Sequence, residues 1–280
     1  MKHLPEWDRA ALLRLPLFAP LHPILAELGS DGFPAPQDCN ALLATHRPPI
    51  TVQNGMPLRF VPHEPGKLPF EEQYEPRCYL KGEVPTRADN WHDLFNALVW
   101  LSFPKTKAVL NARHYHALIE EIASGMTRRG AVRDVNTLLD ESGVIVVYAE
   151  KELARLLREF QWKELFWQRR EQVSPRSNQQ AMGFYIFGHG LFEKALQPYV
   201  GMTGQGLLLP VGPAFFNWPQ AQPLVHLDTL LADHLAKPEH CRSTRDLSPV
   251  PLLGVPGWDA ANDNAEYYDN TAYFRPGRRG

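Results

Sequence analysis

The chain has 280 residues, 44% hydrophobic and 21% charged, with a formal net charge of −2. That length and composition suit one globular unit able to bury a core without disulfides. The charge argues against a general nucleic-acid binder, which carries a basic footprint, and gives no electrostatic reason to sit on an anionic membrane.

The N-terminus, MKHLPEWDRAALLRL, carries acidic residues and an arginine where a signal peptide needs an apolar core. Residues 1–48 read as short helices broken by Pro5, Pro16, Pro20, Pro23, Pro34 and Pro36. PPITVQNGMPLRFVP follows, with two β-prone runs around Asn54-Gly55, a hairpin signal. A polar, proline-rich stretch then leads to NWHDLFNALVW, a helix that is apolar on nearly every face. Pro104 ends it and opens a second helix over about Lys105 to Ala123. A third helix is expected over 131–142, closed by Gly143. VIVVYA, Val144 to Ala149, is the longest apolar run, far short of the roughly 20 residues that span a bilayer. It reads as a strand buried on both faces. A helix over Lys151 to Arg170 is expected next, then strands at Phe184–Phe187 and Leu207–Val211 with the short helix LFEKAL between them. VHLDTLLADHLA forms another helix.

The expected fold class is mixed α/β. It has a small parallel sheet of βαβαβ type in the second half and a helical, proline-rich N-terminal part with one β-hairpin. A single domain is expected, divided into 1–70, a core over 75–245, and a loop-like segment over 246–280 packed on the core. Cys39, Cys78 and Cys241 match no CxxC or zinc-ligand spacing. Reduced thiols in a cytoplasmic protein account for them.

Three places could carry chemistry. In NWHDLFNALVW, Asn90 can cap the helix with Asp93 at the third position, where the dipole favours a carboxylate. His92 and Asn96 are four residues apart and share a face with Val99 and Phe103. An imidazole in the first turn suits general-base work or metal ligation, or else a structural bond to a carbonyl. On the second helix Lys107, Asn111 and His114 recur at helical spacing, and Asn111 points inward. His114 and His116, two apart, must face different sides. In FGHGLFEKA, His189 lies between two glycines at a strand-to-helix junction, where open α/β sheets gather ligands. His189 and Glu193 share a face. Arg128, Arg129 and Arg133 with Asp134 and Asp140 read as a solvated, internally paired surface. No GxSxG, HExxH, phosphate loop or nucleotide-cofactor motif is present.

The run NWHDLFNALVWLSFPKTKAVLNARH is joined by GEVPTR before it and by LLDESGVIVV, WKELFW, FGHGLFEKAL, GMTGQGLLL and LLGVPGW after it. Together these motifs resemble a bacterial family of uncharacterised proteins, domain of unknown function 3025. The resemblance runs from about Tyr74 to Pro276 and implies no activity, cofactor or site residue.

The expected function is therefore argued from the residues. It is a bacterial, cytoplasmic enzyme, a hydrolase or transferase, whose catalytic residues are His92, His189 and Asp93. Asn96, Asn111, His114 and Glu193 would bind substrate. The three histidines and Asp93 could supply ligands to a divalent metal, although no known spacing rule matches. The alternative is a non-catalytic protein-binding or assembly factor, docking through exposed tail aromatics at Trp258, Tyr267, Tyr268, Tyr273 and Phe274. In that case His92 and Asn96 only specify packing. The two readings separate on whether His92 and His189 converge at an open cleft.

Overall fold

Prolines set the grain of the first fifty residues. In the computed structural model, which describes residues 4–29, 32–126, 128–219 and 222–277, α1 (Arg9–Arg14), α2 (His22–Glu27) and α3 (Pro36–Thr45) are each no longer than ten residues. The Asn54-Gly55 turn forms as expected. Gly55 has a positive φ of 89°, Leu58 N donates to Ile50 O, and Thr51 and Pro57 make an antiparallel bridge. The chain then leaves the hairpin as β1 (Arg59–Pro62), which pairs in parallel with β2 (Glu83–Thr86).

Between those strands lies α4 (Tyr74–Lys81), inside the stretch read only as polar and proline-rich. It is closed by Gly82 at φ 70°, where a Cβ would strike the Pro57 carbonyl oxygen at 2.2 Å. A buried carboxylate fixes this corner. Glu83 accepts from Arg77 Nε at 2.6 Å and from Arg59.

Asn90 caps α5 (Trp91–Ser102) by accepting from Asp93 N at 3.0 Å, and Leu94 through Leu101 are all buried. The helix α6 (Pro104–Ala123) starts on Phe103, which has no side chain to cap it. Asp228 of α11 (Gln222–Leu235) does so instead, accepting from Lys105 N and Thr106 N at 3.1 and 2.8 Å. The orphan donors of a helix start need such a partner. Then come α7 (Ala131–Ser142) and β3 (Gly143–Tyr148).

The mixed helix-and-strand class holds, but the sheet is not all parallel. Its order is β4 (Met182–Ile186), β3, β5 (Thr203–Pro210), β6 (Ser248–Pro251). Only β3 and β5 run together, with Val144 opposite Gly206. By contrast β4 and β6 are antiparallel to their neighbours. The reason lies in the helix expected over Lys151 to Arg170. It stops as α8 (Lys151–Arg158), turns at Phe160 with φ 61°, and resumes as a π turn at Glu164–Gln168 and α9 (Arg170–Val173). One crossover helix would return the chain to the starting end of β3. The added reversal delivers β4 from the other end.

The C-terminal segment packs on the core, and its aromatics are not exposed as a docking surface. Tyr268, Tyr273 and Phe274 are buried, and Trp258 and Tyr267 pack against the same cluster. Tyr273 Oη donates to Met202 O at 2.7 Å and accepts from Leu253 N at 3.0 Å. All three cysteines are free and buried. No helix among the described residues is long and apolar enough to cross a membrane.

The Glu83 corner gives a test. Burial alone would raise its carboxyl, but the bonds from Arg77 and Arg59 outweigh that and hold it below the usual glutamate range. Because the folded value is depressed, the stabilisation is present above the ordinary glutamate range and is lost as pH falls through the folded value. Glu83→Gln should cost about 3 kcal/mol in urea unfolding at pH 7. It should also flatten the loss of stability below about pH 4.5 relative to wild type.

Candidate functional site

Two aromatic residues place two histidines. His92 lies in the first turn of α5, and His189 begins α10 (His189–Ala195). One turn on from each is a phenylalanine, Phe95 and Phe192. Their rings stack at 5.8 Å, and both lean on Phe18 at 5.7 and 5.6 Å. Residues three apart share a helix face, so this buried contact sets the distance between the histidines. Their rings meet edge to face, with planes at 70° and the two Nε2 atoms 3.0 Å apart.

Each imidazole has a carboxylate behind it. His92 Nδ1 lies 3.0 Å from Glu193 Oε2, so the shared face of His189 and Glu193 is turned wholly towards His92. His189 is buried, and its Nδ1 faces Asp140 Oδ2 at 3.7 Å. Beside both Nε2 atoms stands Glu141 Oε1, 3.6 Å from His92 and 3.5 Å from His189. Glu141 comes from the last turn of α7 and reaches this point because Gly188 and Gly190 leave room. A Cβ on Gly190 would meet Glu141 Oε2 at 2.5 Å. One on Gly188 would meet the backbone N of Gly143 at 2.4 Å. The close approach that these glycines permit is therefore made by α7 and the start of β3.

Behind the histidines is a buried ionic relay. Lys107 Nζ donates to Asp140 Oδ1 at 2.5 Å and to Asn96 Oδ1 at 2.9 Å, and Asn96 Nδ2 donates to Tyr74 Oη at 2.6 Å. Lys107 is only 3% exposed. Burial would raise the Asp140 carboxyl, but Lys107 and then His189 outweigh it and hold the group below the ordinary aspartate range. The neighbouring His189 imidazole likewise pulls Glu141 down against its partial burial.

His92, Asn96, Asp140, Glu141 and His189 line a cleft of about 350 Å³ together with His63, Tyr74, Glu75, Pro85, Arg87, Asp93, His114 and Thr137. That size suits a small ligand or one end of a larger one. Asp93 is engaged by Arg87, which donates from Nε, Nη2 and its backbone N at 2.9, 2.7 and 2.7 Å. Asn111 Nδ2 donates to Glu75 Oε2 at 2.7 Å, and His114 Nε2 is 4.0 Å from Glu75 Oε1. His114 is buried with Nδ1 unpartnered, and His116 is exposed, so the two do face different sides.

Of the expected residues, the structure brings His92, His189 and Glu193 into contact. It puts Asn96 behind them in the relay, Asp93 and His114 on other partners in the same cleft, and Asn111 outside the lining, bonded to Glu75. Among the described residues, the one group of three or more donors spaced for a single metal ion is His92, Glu141 and His189, whose donor atoms all lie within 4.8 Å of one another. Asp93 and His114 are outside it. Asp140 is corrected as well. It is not part of a solvated arginine patch, because Arg129 pairs with Asp134 and Arg133 with Glu121. Asp140 serves Lys107 instead. Glu141, Tyr74, Glu75 and Arg87 were not anticipated. The only local signal for Glu141 was the glycine on the far side of His189.

The chain matches the family model described as "Protein of unknown function (DUF3025)" over residues 58–278. It belongs to that family. No curated protein and no solved structure matches it.

The relay makes a prediction. Lys107→Met strands a buried carboxylate and should cost about 3–5 kcal/mol in denaturant unfolding. Adding Asp140→Asn should recover part of that loss, and the double-mutant cycle should show coupling of at least about 1 kcal/mol. Additive losses would mean that the two groups do not interact.

Proposed function

We propose that this DUF3025 protein is a hydrolase that activates water at the point where His92 Nε2, His189 Nε2 and Glu141 Oε1 converge. The observation that carries this reading is the pairing of the two imidazoles at 3.0 Å on the wall of an open cleft, with a carboxylate behind each Nδ1. A carboxylate at Nδ1 fixes the ring and its tautomer and leaves Nε2 free to take a proton or hold a ligand. Glu193 does this for His92. Asp140, itself held by Lys107, faces the same atom of His189 at longer range. Asn96 and Tyr74 extend the support without facing the reacting point. No nucleotide-cofactor motif suggests redox chemistry.

The cleft also argues for a substrate class. Its carboxylates are Glu75, Asp93, Asp140 and Glu141. Its cation Arg87 is bonded to Asp93, and Lys107 behind the wall is bonded to Asp140. Among the described lining residues no cationic side chain is left over for a polyanion. A neutral or cationic ester or amide fits better than a phosphate ester or nucleic acid. The buried free cysteines fit a reducing compartment such as the bacterial cytoplasm. The alternative of an assembly factor loses the exposed tail aromatics on which it was based.

The test is a panel of chromogenic carboxyl esters, amides and phosphate esters assayed with the purified protein. Turnover of uncharged or cationic esters or amides is expected. His92→Ala and His189→Gln should each lower kcat by about 10² to 10⁴. His92→Ala should leave the urea midpoint close to wild type, because that side chain is 31% exposed. Hydrolysis untouched by both substitutions would contradict the reading.

A further inference from the structure

We propose that His92, His189 and Glu141 are the protein ligands of a divalent metal ion of the zinc class, with a fourth position open to the cleft. The inference rests on the hydrolase reading only for its catalytic consequence. The binding site itself is argued from geometry.

The three donor atoms form a triangle with sides of 3.0, 3.5 and 3.6 Å. Its circumscribed radius is about 2.0 Å, so one point just off its plane lies about 2.1 Å from all three atoms. That is the zinc–nitrogen and zinc–carboxylate bond length. Three ligands on one face of a tetrahedron, with the fourth corner left for water, is the arrangement of catalytic rather than structural zinc.

The hydrogen-bond pattern supports the same conclusion independently. Glu193 accepts only if His92 carries a proton on Nδ1, which in the neutral imidazole leaves a lone pair on Nε2. His189 Nδ1 makes no hydrogen bond, but in the same tautomer its proton would point towards Asp140 Oδ2, 3.7 Å away. Two nitrogen lone pairs 3.0 Å apart repel unless something electropositive lies between them. A single proton would bridge the nitrogens but would not account for Glu141, which faces both from beyond good hydrogen-bond range. A metal ion accounts for all three separations at once. Carboxylates on the far nitrogens of metal-bound histidines are the usual outer support of such sites. The surroundings favour a cation too. Glu141, Glu193 and Asp140 stand around the two rings, while Lys107 is paired with Asp140 and Arg87 with Asp93. Two imidazoles with one carboxylate suit zinc, cobalt or ferrous iron better than magnesium or calcium, which prefer oxygen ligands. Water on such an ion becomes acidic enough to act as a nucleophile near neutral pH.

The test uses full-length protein stripped with a chelator and desalted. Zn²⁺ is titrated calorimetrically, and Co²⁺ serves as an optical probe of coordination. One equivalent should bind, Co²⁺ should give the intense visible bands of a four-coordinate ion, and Zn²⁺ should raise Tm. His92→Ala and His189→Gln should each weaken binding at least about 100-fold, and Glu193→Gln about 10- to 100-fold. Glu71→Gln, at an exposed carboxylate that does not line the cleft, should bind as wild type does. Circular dichroism of each variant confirms that it folds. The proposal is overturned if folded wild-type protein shows no saturable binding, or if the histidine variants bind unchanged. Hydrolysis that persists in metal-free protein with chelator present would overturn the catalytic role of the ion, while leaving the hydrolase reading intact. Stoichiometric binding abolished by these variants, in a protein that hydrolyses nothing, would uphold the metal site and remove the hydrolase reading instead.

Discussion

Lys107 is an ammonium group placed where water cannot reach it, and the site is organised around satisfying it. Taking such a charge out of water costs several kcal/mol unless partners surround it. Asp140 from α7 and Asn96 from α5 are those partners, and Asn96 passes the bond on to Tyr74 at the start of α4. Four helices are thereby locked around one charge. Asp140 then presents its second oxygen to His189, and the next residue in the chain, Glu141, reaches the two imidazoles. Registry of α7 against α6 therefore fixes where the third donor stands.

Apolar packing supplies the rest of the precision. Phe95 and Phe192 are buried completely, stacked on one another and tilted against Phe18. Each lies one turn beyond a histidine, so the separation of the rings is inherited from an aromatic contact that solvent does not disturb. Aromatic pairs of this kind add about 0.5–1.5 kcal/mol beyond the area they bury. The glycines flanking His189 complete the arrangement by what they lack, since a methyl group at Gly190 would collide with the Glu141 carboxylate. A cleft wall is thus built from α5, α7 and α10, each contributing one donor from a helix end.

Much of this was legible in the sequence wherever the signal was local. Asn90, Pro104 and Gly143 mark helix ends by their own chemistry, and the helices start or stop beside them. The four-residue spacings correctly placed His189 and Glu193 on one face and Asn96 in the interior. What failed was non-local. Strand direction depended on a break at Phe160, a residue with no intrinsic preference for a left-handed turn, so the sheet came out mixed. The helix at Tyr74–Lys81 was hidden by the prolines around it. Glu141 is about fifty residues from either histidine and sits at the end of an ordinary amphipathic helix. No periodicity could nominate it. The tail aromatics looked like a docking surface because a segment without regular periodicity gives no hint of what it covers.

The central claim is that both imidazoles hold their protons on Nδ1 and turn their Nε2 lone pairs towards one point. Long-range ¹⁵N–¹H NMR on zinc-saturated protein with labelled histidine reads this directly, and His92→Ala and His189→Gln assign the two signals. Both rings should appear as Nδ1–H tautomers with Nε2 bearing no proton. An Nε2–H signal from either ring, or spectra unchanged by zinc, would contradict it.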